Sequence, residues 1–277
     1  MPTLPVNRSP RSVPTSHDDR RTAESFGSRA ERYDRARPHY PQALVDRIIA
    51  SSPRPSPDVL DVGCGTGIVA RQFEAAGARV LGVDADVRMA GLARQRGLEV
   101  EVARFEEWET ARRTFDVVVS GQAWHWIDPA AGAAKAAQAL RPDGLLALFW
   151  NAGQPQSDIA EAFAEIYHRL LPGSLAARQW ETPAVEGYAS LCAKAAHGIQ
   201  ETRAFADPER WRLDWNRTYT RDEWLDQLPT QGALTRLPRA ELEEVLGDVG
   251  TAIDAVGGAF TMHYATLATT AARAAAD

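Results

Sequence analysis

Cysteine is scarce in this sequence. The 277 residues contain two, Cys64 and Cys192, too few for a disulfide framework or a Cys-rich metal site. No apolar run approaches the roughly 18 residues that a membrane-spanning helix needs, and the N-terminus lacks the hydrophobic segment of a signal peptide. Excess basic charge is missing as well: the formal net charge is −6 and the pI about 5.6, so no general field draws the chain to nucleic acid or to an anionic membrane. The six histidines are scattered without metal-ligand spacing, and no internal repeat is evident. These absences leave a cytoplasmic protein that acts on a small molecule, without metal, nucleic acid or membrane, as a monomer or homodimer.

What is present is ordinary globular composition, 44% hydrophobic and 25% charged, organised around Val59-Leu-Asp-Val-Gly-Cys-Gly-Thr-Gly67. Val59, Leu60 and Val62 end a buried strand, three glycines crowd the next five positions, and a helical pattern starts at Ile68. Glycine serves where φ must be positive or a ligand must meet bare main chain, and the following helix N-terminus offers free N–H groups. The turn is therefore a candidate nucleotide cradle.

Before it, residues 1–22 hold four prolines and almost no large apolar side chains, the composition of a disordered tail. Residues 23–56 read as a helical segment, with Phe26, Ala30 and Tyr33 on one face and Leu44, Val45, Ile48 and Ile49 on another. After the turn, strands are expected at 79–84, 98–102, 115–120 and 145–150, alternating with helices near 68–76, 86–96 and 130–140. Such alternation implies right-handed crossovers and an open parallel sheet whose ligand lies at the carboxyl ends of the strands. Residues 57–151 form this core. Residues 152–208 are helical text, read as an inserted cap, and 209–277 return two strands, at 211–219 and 260–268.

The glycine spacing separates two nucleotide readings. A dinucleotide fingerprint wants G-x-G-x-x-G, whereas Gly63-Cys64-Gly65-Thr66-Gly67-Ile68 brings the third glycine one place early and puts Ile68 where the fingerprint has Gly or Ala. An uncharged adenosyl group with an amino-acid tail suits the turn better than a pyrophosphate. Asp84, at the end of the second strand, can accept both ribose hydroxyls.

With these residues the chain resembles the class I S-adenosylmethionine (SAM)-dependent methyltransferases, in particular the small-molecule branch that includes the trans-aconitate methyltransferase-like and methyltransferase type 11 proteins. The resemblance covers about residues 26–151. It is carried by the Gly-rich turn, Asp84, the pattern from Phe26-Gly27 through Tyr33 to Arg37-Pro38-x-Tyr40-Pro41, and Ala123-Trp-His-Trp126. It implies an α/β fold, Rossmann-like and doubly wound, with a mostly parallel seven-stranded sheet and a helical cap insertion. It further implies that SAM binds and leaves as S-adenosylhomocysteine (SAH), with Asp61, Gly63 and Gly65 along its methionine part and Asp84 on the ribose. Phe105 would offer its backbone amide to adenine; Cys64, Ala85, Glu106, Ser120 and Gln122 complete the expected cofactor set. At the position before Phe105, where the family commonly has an acid, this chain has Arg104.

Methyl transfer from an activated sulfonium needs mainly proximity and alignment, and a base only when the acceptor must lose a proton. His125 is the candidate base. Trp124 and Trp126 flank it and, with Tyr33, Arg37 and Tyr40, are candidates for a lid or substrate contacts. The expected reaction is methylation of a small acceptor, at oxygen. An NAD-dependent oxidoreductase and a non-catalytic SAM-binding module are the alternatives. Base methylation is disfavoured because Ser120-Gly121-Gln122-Ala123 stands where such enzymes resemble one another in an Asp- or Asn-Pro-Pro-aromatic run.

Overall fold

The computed structural model describes residues 26–179, 182–232 and 234–275; the tail at 1–22 lies outside them. In chain order the elements are α1 (Ala30–Ala36), α2 (Gln42–Ala50), β1 (Asp58–Val62), α3 (Ile68–Ala75), β2 (Arg79–Asp84), α4 (Val87–Gln95), β3 (Glu99–Val102), β4 (Phe115–Gly121), α5 (Pro129–Ala139) and β5 (Leu140–Pro155). There follow α6 (Ser157–Leu170), α7 (Leu175–Arg178), α8 (Ala184–Thr202), β6 (Glu209–Thr220), α9 (Arg221–Gln227), α10 (Arg239–Ala255) and β7 (Ala259–Ala272). Local chemistry sets several boundaries. Asp86 caps α4 by accepting from Arg88 N, and Asp128 caps α5 by accepting from Ala131 N, with Pro129 in the first turn where its missing N–H costs nothing.

The seven strands form one sheet in the order β3-β2-β1-β4-β5-β7-β6. The first five are parallel, and β7 runs antiparallel between β5 and β6. Strand order reverses between β1 and β4, and a ligand crevice opens at the carboxyl ends of strands flanking such a reversal. β5 is much longer than the stretch 145–150 expected from sequence. It stays paired with β7 from Leu145↔Ala272 to Pro155↔Met262, so main-chain bonding carries it through Asn151, Gly153 and Gln154, residues that look like a strand end.

Apolar side chains cover both faces of the sheet. On one face Leu60, Val118, Leu146, Leu148 and Trp150 pack with Ala133 and Ala136 of α5 and Cys192, Ala195 and Ile199 of α8. On the other, Val59, Val117, Val119 and Phe149 meet Leu44 and Ile48 of α2 and Val69 and Phe73 of α3. A separate core forms where β6 and β7 outrun the parallel strands: Tyr219, Phe260, Met262 and Tyr264 pack with Phe163 of α6, Trp224 of α9 and Val245 of α10. The stretch 152–208, read from sequence as one cap, thus divides between two cores. α6 joins the outer core, while α8 lies in the helical layer on the sheet.

The segment from 29 to 40 straps one side of the crevice to the other. Asp34 of α1, its side chain 5% exposed, accepts from Arg71 of α3 at 2.6 Å and pairs with Arg96 at 3.0 Å. From the same segment Arg32 and Arg35 reach Asp226 of α9, Arg29 donates to Pro229 O, and Arg37 donates to Thr230 Oγ1 and O.

Candidate functional site

The Gly-rich turn leaves β1 at the reversal of strand order. Gly63, Gly65 and Gly67 have φ of +68°, +56° and +85°, a region that costs other L-residues about 1–2 kcal/mol. Gly63 N and Cys64 N both donate to Val83 O of β2, and Gly67 N donates to Cys64 O. Ser120 Oγ of β4 donates to Val62 O at 2.8 Å, tying the two strands at the reversal. The Cys64 sulfur lies over β2, so that a Cβ on Gly82 would come within 2.6 Å of it. Burial pushes this thiol up from its ordinary pKa, which leaves it protonated and unreactive.

Two carboxylates flank the turn. Asp84, closing β2, accepts from Gly65 N through Oδ2 and from Asp86 N through Oδ1, both at 2.7 Å, which fixes the turn's shape; burial pushes its pKa up and these two amides pull it back. Asp61 of β1 is fully buried, and neither of its oxygens has a hydrogen-bond partner among the described residues. Desolvation, reinforced by the nearby Asp84 charge, raises its pKa to about 8. Thr66 Oγ1 is also buried and unpartnered. Bare main chain at positive φ beside unsatisfied acidic and hydroxyl oxygens fits a ligand with a polar, cationic tail.

On the far side of Asp84, Ala103 N donates to Asp84 O and Phe105 opens a short 3-10 turn, Phe105–Glu107. The Phe105 ring is buried between Trp108 and Trp124. Glu106 accepts from Asp128 N, and Arg104 lies 3.7 Å from Glu106 and 3.6 Å from Glu107. Ala85 is exposed just past the strand end.

At the end of β4, Gln122 has a φ of +59° and donates its N–H to Phe149 O of β5. Its side-chain oxygen accepts from Asn151 N and its side-chain nitrogen donates to the Tyr188 hydroxyl of α8, both at 2.9 Å. Next come Trp124, buried in the sheet core, and His125 and Trp126, both half-buried. Trp150 Nε1 of β5 donates to His125 Nδ1 at 3.3 Å. Indole is a donor only, so the neutral imidazole carries its proton on Nε2. Desolvation lowers its pKa to about 4. His125 is therefore expected to remain neutral from pH 8 down to pH 5. Nitrogen-detected NMR of its ring would show this, and a midpoint near the ordinary 6.5 would contradict it.

The expected lid residues have distinct surroundings. Tyr40 is buried, edge-on to Phe149 at 4.7 Å, with its hydroxyl close above Gly121; Gln72 brackets its main chain, accepting from its N–H and donating to its carbonyl. Arg37 lies over the Tyr33 ring, 4.8 Å from its centroid, and donates to Thr230. The structure thus gathers Asp61, Asp84, Gln122, His125 and Tyr40 around the carboxyl ends of β1, β2, β4 and β5, and draws the Arg37 guanidinium toward residues 228–230. Tyr188 and Asn151 are additional members of this site. Asn151, just past the strand expected at 145–150, stands at a carboxyl end where the sequence places the ligand; Tyr188 carries no sequence signal, because only tertiary packing brings α8 beside β4. A surface cavity of about 570 Å³ lined by Gln42, Asp46, Arg54 and Ala76 opens beside α2 and includes none of these residues.

Residues 60–148 match the family described as a methyltransferase domain. An uncharacterized methyltransferase of Mycobacterium tuberculosis is 35% identical over 150 residues, which cover 52% of this chain and 59% of that protein. The chain thus spans about three fifths of the length of the curated relative it matches. A protein of Anaeromyxobacter dehalogenans named for a type II methyltransferase superposes with a TM-score of 0.64 at 23% identity, over 87% of this chain and 99% of that one. The phosphoethanolamine N-methyltransferase 2 of Haemonchus contortus, solved with SAM, gives a TM-score of 0.52 at 17% identity, over 96% of this chain and 61% of its own. The fold is that of the Rossmann-like class I methyltransferases, α/β with one antiparallel strand in its seven. Residues 60–148 thus resemble a methyltransferase domain, and the Mycobacterium tuberculosis relative is itself named a methyltransferase.

Proposed function

We propose that this protein transfers the methyl group of SAM to a small-molecule acceptor at an oxygen atom. The observation that carries the reading is the pair of carboxylates, Asp61 and Asp84, at a turn whose three glycines leave the main chain bare. Acidic groups in this position repel the pyrophosphate of a dinucleotide and attract a cation. In this reading Gly63, Cys64 and Gly65 hold the amino-acid tail, Asp84 accepts from the ribose, and the Phe105 amide faces adenine, with Ala85 and Glu106 at the rim. Ser120 and Gln122 shape the floor. When bound, the cofactor supplies a methyl group already activated on a sulfonium.

The acceptor lies on the side of Tyr33, Tyr40, Tyr188 and the Trp124–Trp126 turn. His125 is neutral and weakly basic, so it suits an acceptor that arrives with a reactive oxygen better than an ammonium that must first lose a proton. With its proton on Nε2, His125 orients such an oxygen as a hydrogen-bond donor. Calorimetric titration with SAM, SAH and NAD tests the cofactor half of the reading: SAM and SAH are expected to bind, and binding of NAD alone would overturn it. Incubation with methyl-labelled SAM and a metabolite extract tests the other half, with label expected in base-labile methyl esters or base-stable methyl ethers. Binding without any transfer would favour a non-catalytic SAM-binding module.

A further inference from the structure

Asp61 is a carboxylate without a counter-ion. It sits at the end of the central strand β1, fully buried, opposite Gly82 of β2 and Val119 of β4. The groups facing it from each neighbouring element are Asp84 from β2, the Cys64 thiol from the turn, the Tyr40 phenol from the strap and the Ala70 amide from α3. Among the described residues no arginine, lysine or histidine pairs with it, and the Ala70 amide alone approaches it as a donor, short of good hydrogen-bond geometry. An ionised carboxylate in such a place carries a desolvation penalty of several kcal/mol, against which only the Ala70 amide acts. The negative charge of Asp84, itself held by two backbone amides, raises that penalty further.

We infer that Asp61 is protonated in the ligand-free protein and gives up this proton when a cationic group of the cofactor enters the Gly63–Gly67 turn, so that cofactor binding is coupled to proton release. The inference rests on the SAM reading above and goes beyond it: it makes Asp61 the residue that recognises positive charge, and does so by ionising. The separation of roles follows from hydrogen bonding. Burial raises the pKa of both carboxyl groups, but the Asp86 and Gly65 amides pull Asp84 back down, whereas Asp61 has the Ala70 amide alone until the ligand supplies more. The cofactor offers two cations, the ammonium of its amino-acid tail and the sulfonium.

Isothermal titration of the full chain at pH 7, in buffers of different ionisation enthalpy, counts the protons. With a pKa of about 8, roughly 0.9 proton should leave per SAH bound, and SAH affinity should rise nearly tenfold per pH unit from pH 6 to 7.5 and level off above 8. Three probes separate the sources of positive charge. SAH has only the ammonium, SAM has both cations, and methylthioadenosine has neither and should bind without proton release. Release with both SAH and SAM assigns the ammonium; release with SAM alone assigns the sulfonium. Asp61→Asn, checked for folding by circular dichroism, should bind SAH more weakly and with near-zero proton release. Should that variant fail to fold, infrared difference spectra of the wild-type protein on SAH binding supply the readout, with loss of a protonated-carboxyl C=O band expected. Tight SAH binding with no proton exchange would overturn the inference, as would unchanged release in Asp61→Asn. Failure of both SAM and SAH to bind would instead overturn the proposed function itself, and this inference with it.

Discussion

Gly63→Ala is expected to destabilise the fold by about 2–5 kcal/mol and to abolish measurable SAH binding. Two penalties combine at this position. A φ of +68° costs an L-residue about 1–2 kcal/mol, and the added methyl would stand 2.4 Å from the Ala123 Cβ, an overlap of the kind that costs about 1–3 kcal/mol. Relief requires either β1 or the segment after β4 to move, and both carry the site: Gly63 N is bonded to Val83 O, and Gln122, next to Ala123, is bonded to Phe149, Asn151 and Tyr188. Gly65→Ala is the internal control. Its φ is +56°, but the nearest atom to its new methyl is the flexible end of Met89 at 3.4 Å, so only the backbone cost of about 1–2 kcal/mol should appear. Thermal melting and SAH calorimetry on the two variants check the comparison. Equal losses would mean that the contact with Ala123 has no energetic consequence.

Asp84→Ala should weaken SAH binding by about 2–4 kcal/mol, roughly thirty- to eight-hundredfold. The Asp84 side chain has two duties. It stands at the end of β2, where the proposed ribose contacts would be lost, and its oxygens hold the Gly65 and Asp86 amides at 2.7 Å. Truncation leaves both amides without their acceptor, and hydrogen bonds to a charged partner contribute about 1.5–3 kcal/mol each. Asp84→Asn keeps one carbonyl-type acceptor and is expected to fall between wild type and the alanine variant. Calorimetry gives the affinities, and amide exchange at Gly65 reports the turn separately. An affinity unchanged in Asp84→Ala would remove the ribose from this strand end.

The parts of the fold that could be read from sequence are those written in local chemistry. The alternation of apolar strands and short helices revealed the five parallel strands, and three glycines in five positions marked a turn that does have φ > 0 at each of them. The acid expected at the end of β2 is there. What escaped is decided by distant partners. Nothing near residue 151 announces that β5 continues, because the reason is β7, more than 100 residues later. The Ala-rich stretch of α8 looks like any solvated helix until Cys192, Ala195 and Ile199 meet the sheet. Arg37 belongs to a motif, yet its guanidinium is bound by Thr230. His125 stands among aromatic residues as a candidate base, but the proton it carries is set by Trp150 on another strand.

The position of β7 affects how the chain is made. β6 hydrogen-bonds only to β7 in the sheet, and β5 has no partner on that side until β7 is inserted between them. A nascent chain that has reached residue 258 has therefore placed the whole Gly-rich turn and both flanking carboxylates outside the ribosome, while one edge of β5 and all of β6 remain open. Unpaired strand edges of this kind recruit other chains. The cofactor half can assemble early, but closure of the sheet waits for residues 259–272, and Thr266 within them supplies the hydroxyl bonded to Asn151 at the mouth of the site. Completion of the sheet and of this wall of the site thus depends on one strand, β7.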